Sequence, residues 1–194
     1  TDETLTILES ANLLKCKIVA FAAGGQIQEY CIKNNIKFQQ ISQDHSPRGS
    51  FVRYLYSILK ILQSTLKIKS SDVNESIKIL ENMKKNISSQ NLTNSNSAIS
   101  LAKWISGIPV IYYPWGLQSA AIRFKNSLNE NGKIHIINED IVKATHNDIV
   151  AWMKKSDVTP IIISGPDDYY KTKKIWAHQL KGELFLLMCF FLGL

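Results

Sequence analysis

A chain of 194 residues has room for one ordinary domain, or for one small α/β domain and part of another. Hydrophobic residues make up 45% of it and charged residues 20%, which excludes a disordered tail. The formal charge of +7 suits an anionic partner, but the basic residues are scattered and lack aromatic interleaving, which argues against nucleic-acid binding.

Leu5, Leu8, Ala11 and Leu14 form a helical stripe with Asp2 and Glu3 in its first turn, so Thr1 to Leu14 is expected to be helical. The apolar run Lys17–Ala23 closes on Gly24-Gly25 and reads as a buried parallel strand turning into a helix, with another short strand from Ile36 to Ile41. After the loop Pro47-Arg48-Gly49-Ser50, a helix is predicted with Phe51, Leu55, Leu59 and Leu62 on one face. The polar, Asn- and Ser-rich stretch from Ser70 to Ser95 reads as a helical linker. A second α/β unit follows. It consists of a helix holding Ala98, Leu101, Ala102 and Ile105, the strand Ile108–Tyr113 and a helix around Ala120, Phe124 and Leu128. The strand Pro160–Ile163 and a helix after Asp167-Asp168 complete it. The order of elements is that of a doubly wound, parallel α/β fold.

Cys16, Cys31 and Cys189 show no CxxC spacing, and their odd number argues for a reducing cytoplasm. The four histidines are too dispersed for a local metal motif, and the four tryptophans read as packing residues. The apolar run from Leu184 to Leu192 is shorter than the ~20 residues that span a bilayer, so it is read as a buried helix rather than a membrane anchor.

Four segments carry a resemblance: Thr1-Asp2-Glu3-Thr4-Leu5; Gly24-Gly25 with Pro47-Arg48; Arg123-Phe124-Lys125-Asn126-Ser127-Leu128-Asn129-Glu130-Asn131; and His146-Asn147-Asp148. Together they resemble the bifunctional phosphoglucose/phosphomannose isomerase family, whose subunit contains two SIS (sugar isomerase) domains. The resemblance implies two doubly wound parallel-sheet SIS domains, the first incomplete. On this reading residues 1–50 are the C-terminal part of the first domain, 51–96 a helical and polar linker, and 97–194 the second, itself truncated.

The activity the resemblance implies is interconversion of glucose 6-phosphate, and mannose 6-phosphate, with fructose 6-phosphate through an enediolate. This chemistry needs a proton-transferring base, a group facing the enediolate charge, a ring-opening acid/base and a phosphate cradle, with no metal or organic cofactor. The resemblance assigns the base to Glu130, the enediolate contact to Arg48, and ring opening to His146, which in the family reaches the site from the partner subunit of a homodimer. Thr1 resembles the last residue of the family's Ser-Gly-Asn-Thr phosphate loop. A partner other than sugar phosphate and a second copy is not expected, neither nucleic acid nor membrane.

The residue types also fit simpler roles. Glu130 could be a solvated carboxylate before the helix-stop Asn131-Gly132, His146 a loop residue ahead of a capped helix, and Arg48 a surface arginine in a turn. The chain departs from the family pattern at Val142-Lys143, where Pro-Glu is usual, and at Asp148, usually Glu. Gly132 stands for a usual alanine, and Ala22-Ala23 for Thr-Ser. The family's catalytic lysine is expected beyond Leu194, so these 194 residues alone are expected to be inactive. The alternative is a non-catalytic SIS module that binds a sugar phosphate and regulates another process.

Overall fold

The computed structural model describes residues 2–43, 47–165, 168 and 185–188. Thr1, Cys189, His178 and the helix expected after Asp167-Asp168 lie outside the described residues. The chain divides into two units, Thr1–Ser70 and Ser71–Leu194.

In the first unit α1 (Asp2–Leu13), β1 (Val19–Ala22), α2 (Gln26–Lys33) and β2 (Lys37–Gln40) precede a 3₁₀ turn, Pro47–Ser50, which runs directly into α3 (Phe51–Leu62). β1 and β2 are parallel, from Val19 opposite Lys37 to Ala22 opposite Gln40, as expected when a helix carries the chain back between two strands. Gly25, at φ 70, makes the turn from β1 into α2 in a conformation that disfavours a side chain. Leu8, Ala20 and Cys31 form the buried centre, with Leu5, Ile27, Tyr30 and Phe38 packed around them. Burial pushes the Cys31 thiol above its ordinary pKa.

The second unit begins with α4 (Ser70–Asn86) and α5 (Ser97–Trp104). These are followed by β3 (Ile108–Tyr113), α6 (Gln118–Ser127), a π-helical turn (Leu128–Gly132), β4 (Ile137–Asp140), α7 (Ile141–Ala144), α8 (Asp148–Ala151), β5 (Val158–Ser164) and β6 (Phe185–Met188). Its sheet has the order β4-β3-β5-β6, parallel throughout. β3 and β5 are buried on both faces, which explains their near-continuous apolar sequences. One face packs Ile111, Tyr113, Ile161 and Ile163 against Leu101, Leu117 and Ala121; the other packs Val110, Tyr112 and Ile162 against Ile141 and Ala144.

The expected α/β class with parallel strands is therefore present. Two elements differ from the sequence reading. The run from Leu184 was expected to be a buried helix, but Phe185–Met188 is a strand, pairing with Ile161–Ser164 of β5. An apolar run of this length suits either state, and here the edge of β5 supplies backbone partners that a helix would not use. β4 was not anticipated, because Ile-Asn-Glu-Asp carries a single apolar residue; its pairing with Val110–Tyr113 defines it.

Asn96 sets the start of α5. Its Oδ1 accepts from the Ala98 and Ile99 amides at 2.9 and 3.2 Å, and its Nδ2 donates to the Asn91 carbonyl at 2.8 Å. The side chain is buried, so Asn96→Ala is expected to cost about 2 kcal/mol, from the lost cap and the stranded Asn91 acceptor. Urea unfolding followed by circular dichroism measures this; an unchanged midpoint would show that the cap is dispensable.

Candidate active site

Glu130 stands on the π-helical turn that extends α6. α6 is seated on the sheet by Ala121, with no exposed surface, and by Phe124 and Leu128. Past Ser127 the winding loosens by one residue per turn, and Asn131 Nδ2 donates back to the Ser127 carbonyl at 2.9 Å. Lys133, at φ 56, ends the turn in the left-handed region, and its ammonium donates to the Glu130 carbonyl at 2.6 Å. The Glu130 side chain is half-buried. Extra turns of this kind are frequent at functional positions.

Because α6 returns the chain to the start of β4, Glu130 lies at the edge where the strands begin. The connection that carries Glu130 is thus one entering a strand rather than leaving it. His146 lies at the other edge, on the exposed turn between α7 and α8, its backbone amide bonded to the Lys143 carbonyl at 3.0 Å. The rise of β4 alone separates the two by roughly 10 Å, so a single sheet does not bring them together. Arg48 belongs to the first unit, on the 3₁₀ turn before α3. Thr1 is outside the described residues.

Two features of this region carry no sequence signal. The first is a hydrogen-bond chain behind the His146 turn: Trp152 Nε1 donates to Tyr112 Oη at 3.1 Å, and Tyr112 Oη donates to Asp148 Oδ2 at 3.3 Å. Burial, reinforced by the Asp148 charge, pushes the Tyr112 phenol well above its ordinary range, so it stays a donor at neutral pH. The second is Ser164, fully buried where β5 ends, whose Oγ has no partner among the described residues. In the first unit, a recess of about 480 Å³ opens at the end of β2, lined by Gln40, Ser42, Tyr56, Ser57 and Lys60 and by Arg53, which donates to Ser42 Oγ. Among the described residues no three His, Cys, Asp or Glu side chains are grouped to hold a metal ion.

Residues 94–182, which contain both Glu130 and His146, match the family of bacterial phospho-glucose isomerase C-terminal SIS domains. The bifunctional phosphoglucose/phosphomannose isomerase of Thermoplasma acidophilum is 30% identical over 148 residues, 76% of this chain and 44% of that protein. The chain is related to the bifunctional phosphoglucose/phosphomannose isomerases. A second such isomerase, from Caldicellulosiruptor bescii, is 25% identical over 158 residues, 77% of this chain and 45% of its own length. The chain thus spans about half the length of these curated relatives.

A D-glucosamine-6-phosphate 4-epimerase of Sulfolobus acidocaldarius is 26% identical over 189 residues, covering 95% of this chain and 57% of the epimerase. Among solved structures, a protein from Clostridium difficile 630 described as a phosphosugar isomerase superposes with a TM-score of 0.54 at 17% identity, over 92% of this chain and 53% of its own. The C-terminal domain of glucosamine-fructose-6-phosphate aminotransferase from Francisella tularensis gives 0.50 at 10% identity, over 88% and 57%. At such identities these structures show the fold alone. Within this isomerase-related chain the segment Arg123–Asn131 forms the end of α6 and its π turn, and His146-Asn147-Asp148 joins α7 to α8.

Proposed function

We propose that this chain supplies the second SIS domain and part of the first to an aldose–ketose isomerase acting on glucose 6-phosphate and mannose 6-phosphate. The boundaries are those of residues 1–50, 51–96 and 97–194. In this reading Glu130 removes the proton from C2 of the open-chain aldose and returns it to C1, while the Arg48 guanidinium faces the enediolate oxygens. His146 passes the anomeric hydroxyl proton to the ring oxygen to open the substrate, and no metal or organic cofactor takes part.

The observation that supports it best is the presence of both Glu130 and His146, each on a turn outside the sheet, in the one segment that matches the isomerase SIS domain. Their placement at opposite edges of that sheet favours a homodimer in which His146 serves the partner's site. No described helix is long and apolar enough to cross a membrane, and a cytoplasmic role in carbohydrate metabolism belongs to the same reading.

A coupled assay of the whole protein tests it. Turnover is expected on fructose 6-phosphate in both directions, unaffected by chelators. Mixing equal amounts of inactive Glu130→Gln and His146→Ala proteins should restore activity to about a quarter of wild type, since random pairing makes about half the dimers hybrid and each hybrid keeps one of its two composite sites intact. No activity on any hexose 6-phosphate would end the reading. The 4-epimerase relative favours a second one, in which an amino-sugar phosphate is the substrate; turnover on glucosamine 6-phosphate alone would select it.

A further inference from the structure

We propose that Tyr112, Asp148 and Trp152 form a positioning network that fixes the turn carrying His146 against the sheet. The inference rests on the isomerase reading of His146 and adds the residues that aim it. The turn lies between α7 and α8, each of four residues, and helices so short do not hold themselves. Something else must fix the imidazole. On the chain's entry side Asp140 Oδ1 accepts from the Val142 and Lys143 amides at 2.9 and 3.2 Å, pinning the start of α7. On the exit side the pin is Asp148, two residues after His146, and its anchor is the Tyr112 hydroxyl on β3.

Tyr112 is suited to this task because it cannot move. It is 1% exposed and packed with Val110, Ile141, Ala144 and Ile162. The polarity of the chain of bonds is also fixed. An indole N–H only donates, so Tyr112 Oη must accept from Trp152 and commit its single proton to the Asp148 carboxylate. A central strand is thereby linked to the residues on both ends of α8. Removing the hydroxyl leaves the ring and the core in place but cuts both bonds, and displacement of a reacting group by about 1 Å is enough to slow catalysis substantially.

The experiment compares the whole protein with Tyr112→Phe, Asp148→Ala, Asp148→Glu and His146→Ala, by turnover and by amide hydrogen exchange. For Tyr112→Phe and Asp148→Ala, kcat is expected to fall roughly tenfold with KM within about twofold. Asp148→Glu, which can still reach Tyr112, should recover most of that loss. In Tyr112→Phe the His146 and Asn147 amides should exchange roughly tenfold faster while those of Ile111 and Ile161 stay protected. Wild-type kcat and unchanged exchange in Tyr112→Phe would overturn the network even where His146→Ala is inactive. Full activity in His146→Ala would instead remove the catalytic reading, and the exchange data would then judge alone whether the network holds the turn.

Discussion

Glu130→Gln is expected to lower isomerase turnover by 10²- to 10⁴-fold, about 3 to 5 kcal/mol of barrier, while leaving sugar-phosphate affinity within a few-fold of wild type. The amide keeps the shape and the half-buried setting of the carboxylate but cannot take a proton. The backbone contacts that build its turn, from Lys133 Nζ to the Glu130 carbonyl and from Asn131 to Ser127, do not involve the carboxyl group, so they persist in the variant. Initial-rate assays with isothermal titration of the product separate the possibilities. Lost turnover with retained binding supports the proton-transfer role. Retained turnover would move the base elsewhere, and binding without turnover in the unaltered protein would favour the regulatory module.

The second large effect is expected at Gly107, which stands just before β3 begins. Gly107 has φ 64, and a Cβ placed there would stand 2.8 Å from the Asp157 carbonyl carbon and nearer still to its oxygen. The neighbouring contacts leave that carbonyl no room to retreat: Ile108 donates to it at 3.0 Å, and the Ser106 amide donates to Thr159 Oγ1 at 3.0 Å, clamping the entries of β3 and β5 together. Gly107→Ala is expected to cost about 2 to 5 kcal/mol, from the left-handed backbone and the overpacked contact combined. Gly132→Ala is the matched control. Its nearest neighbour would be Ile134 Cγ1 at 3.6 Å, so the change should be neutral or stabilise by up to about 1 kcal/mol. Denaturant unfolding of both variants decides; equal midpoints would mean the clamp yields.

What the sequence made legible follows from what each segment buries. β3 and β5 are apolar because these parallel strands are covered on both faces, and α6 shows its packed face through Ala121, Phe124 and Leu128. β4 was hidden because its identity lies in backbone pairing to β3 rather than in its own side chains, of which Asn138, Glu139 and Asp140 are polar. β6 was misread for the opposite reason, since a continuous apolar run fixes burial but not periodicity.

At the candidate site, Glu130 and His146 could be named from the family segments, but their edges of the sheet could not, because those follow from which strand each turn precedes. The Tyr112–Asp148 bond joins positions on separate elements, and Tyr112 in Ile-Pro-Val-Ile-Tyr-Tyr looks like any strand aromatic. Gly107 was equally silent, its role depending on Asp157 across the sheet.

The loosened winding from Leu128 to Gly132 amounts to one residue more than an ordinary helix would place there. Deleting a single residue ahead of Glu130 would return the stretch to regular pitch, leaving the residues after the turn in register with β4 while Glu130 moves one helical position back and turns around the helix axis. Carboxylate and sheet would each persist, yet the acid group would address a different quadrant of the molecule. Spacing in this segment is thus under a constraint separate from composition, and homologous chains should tolerate exchanges of side chain here far more readily than changes of length.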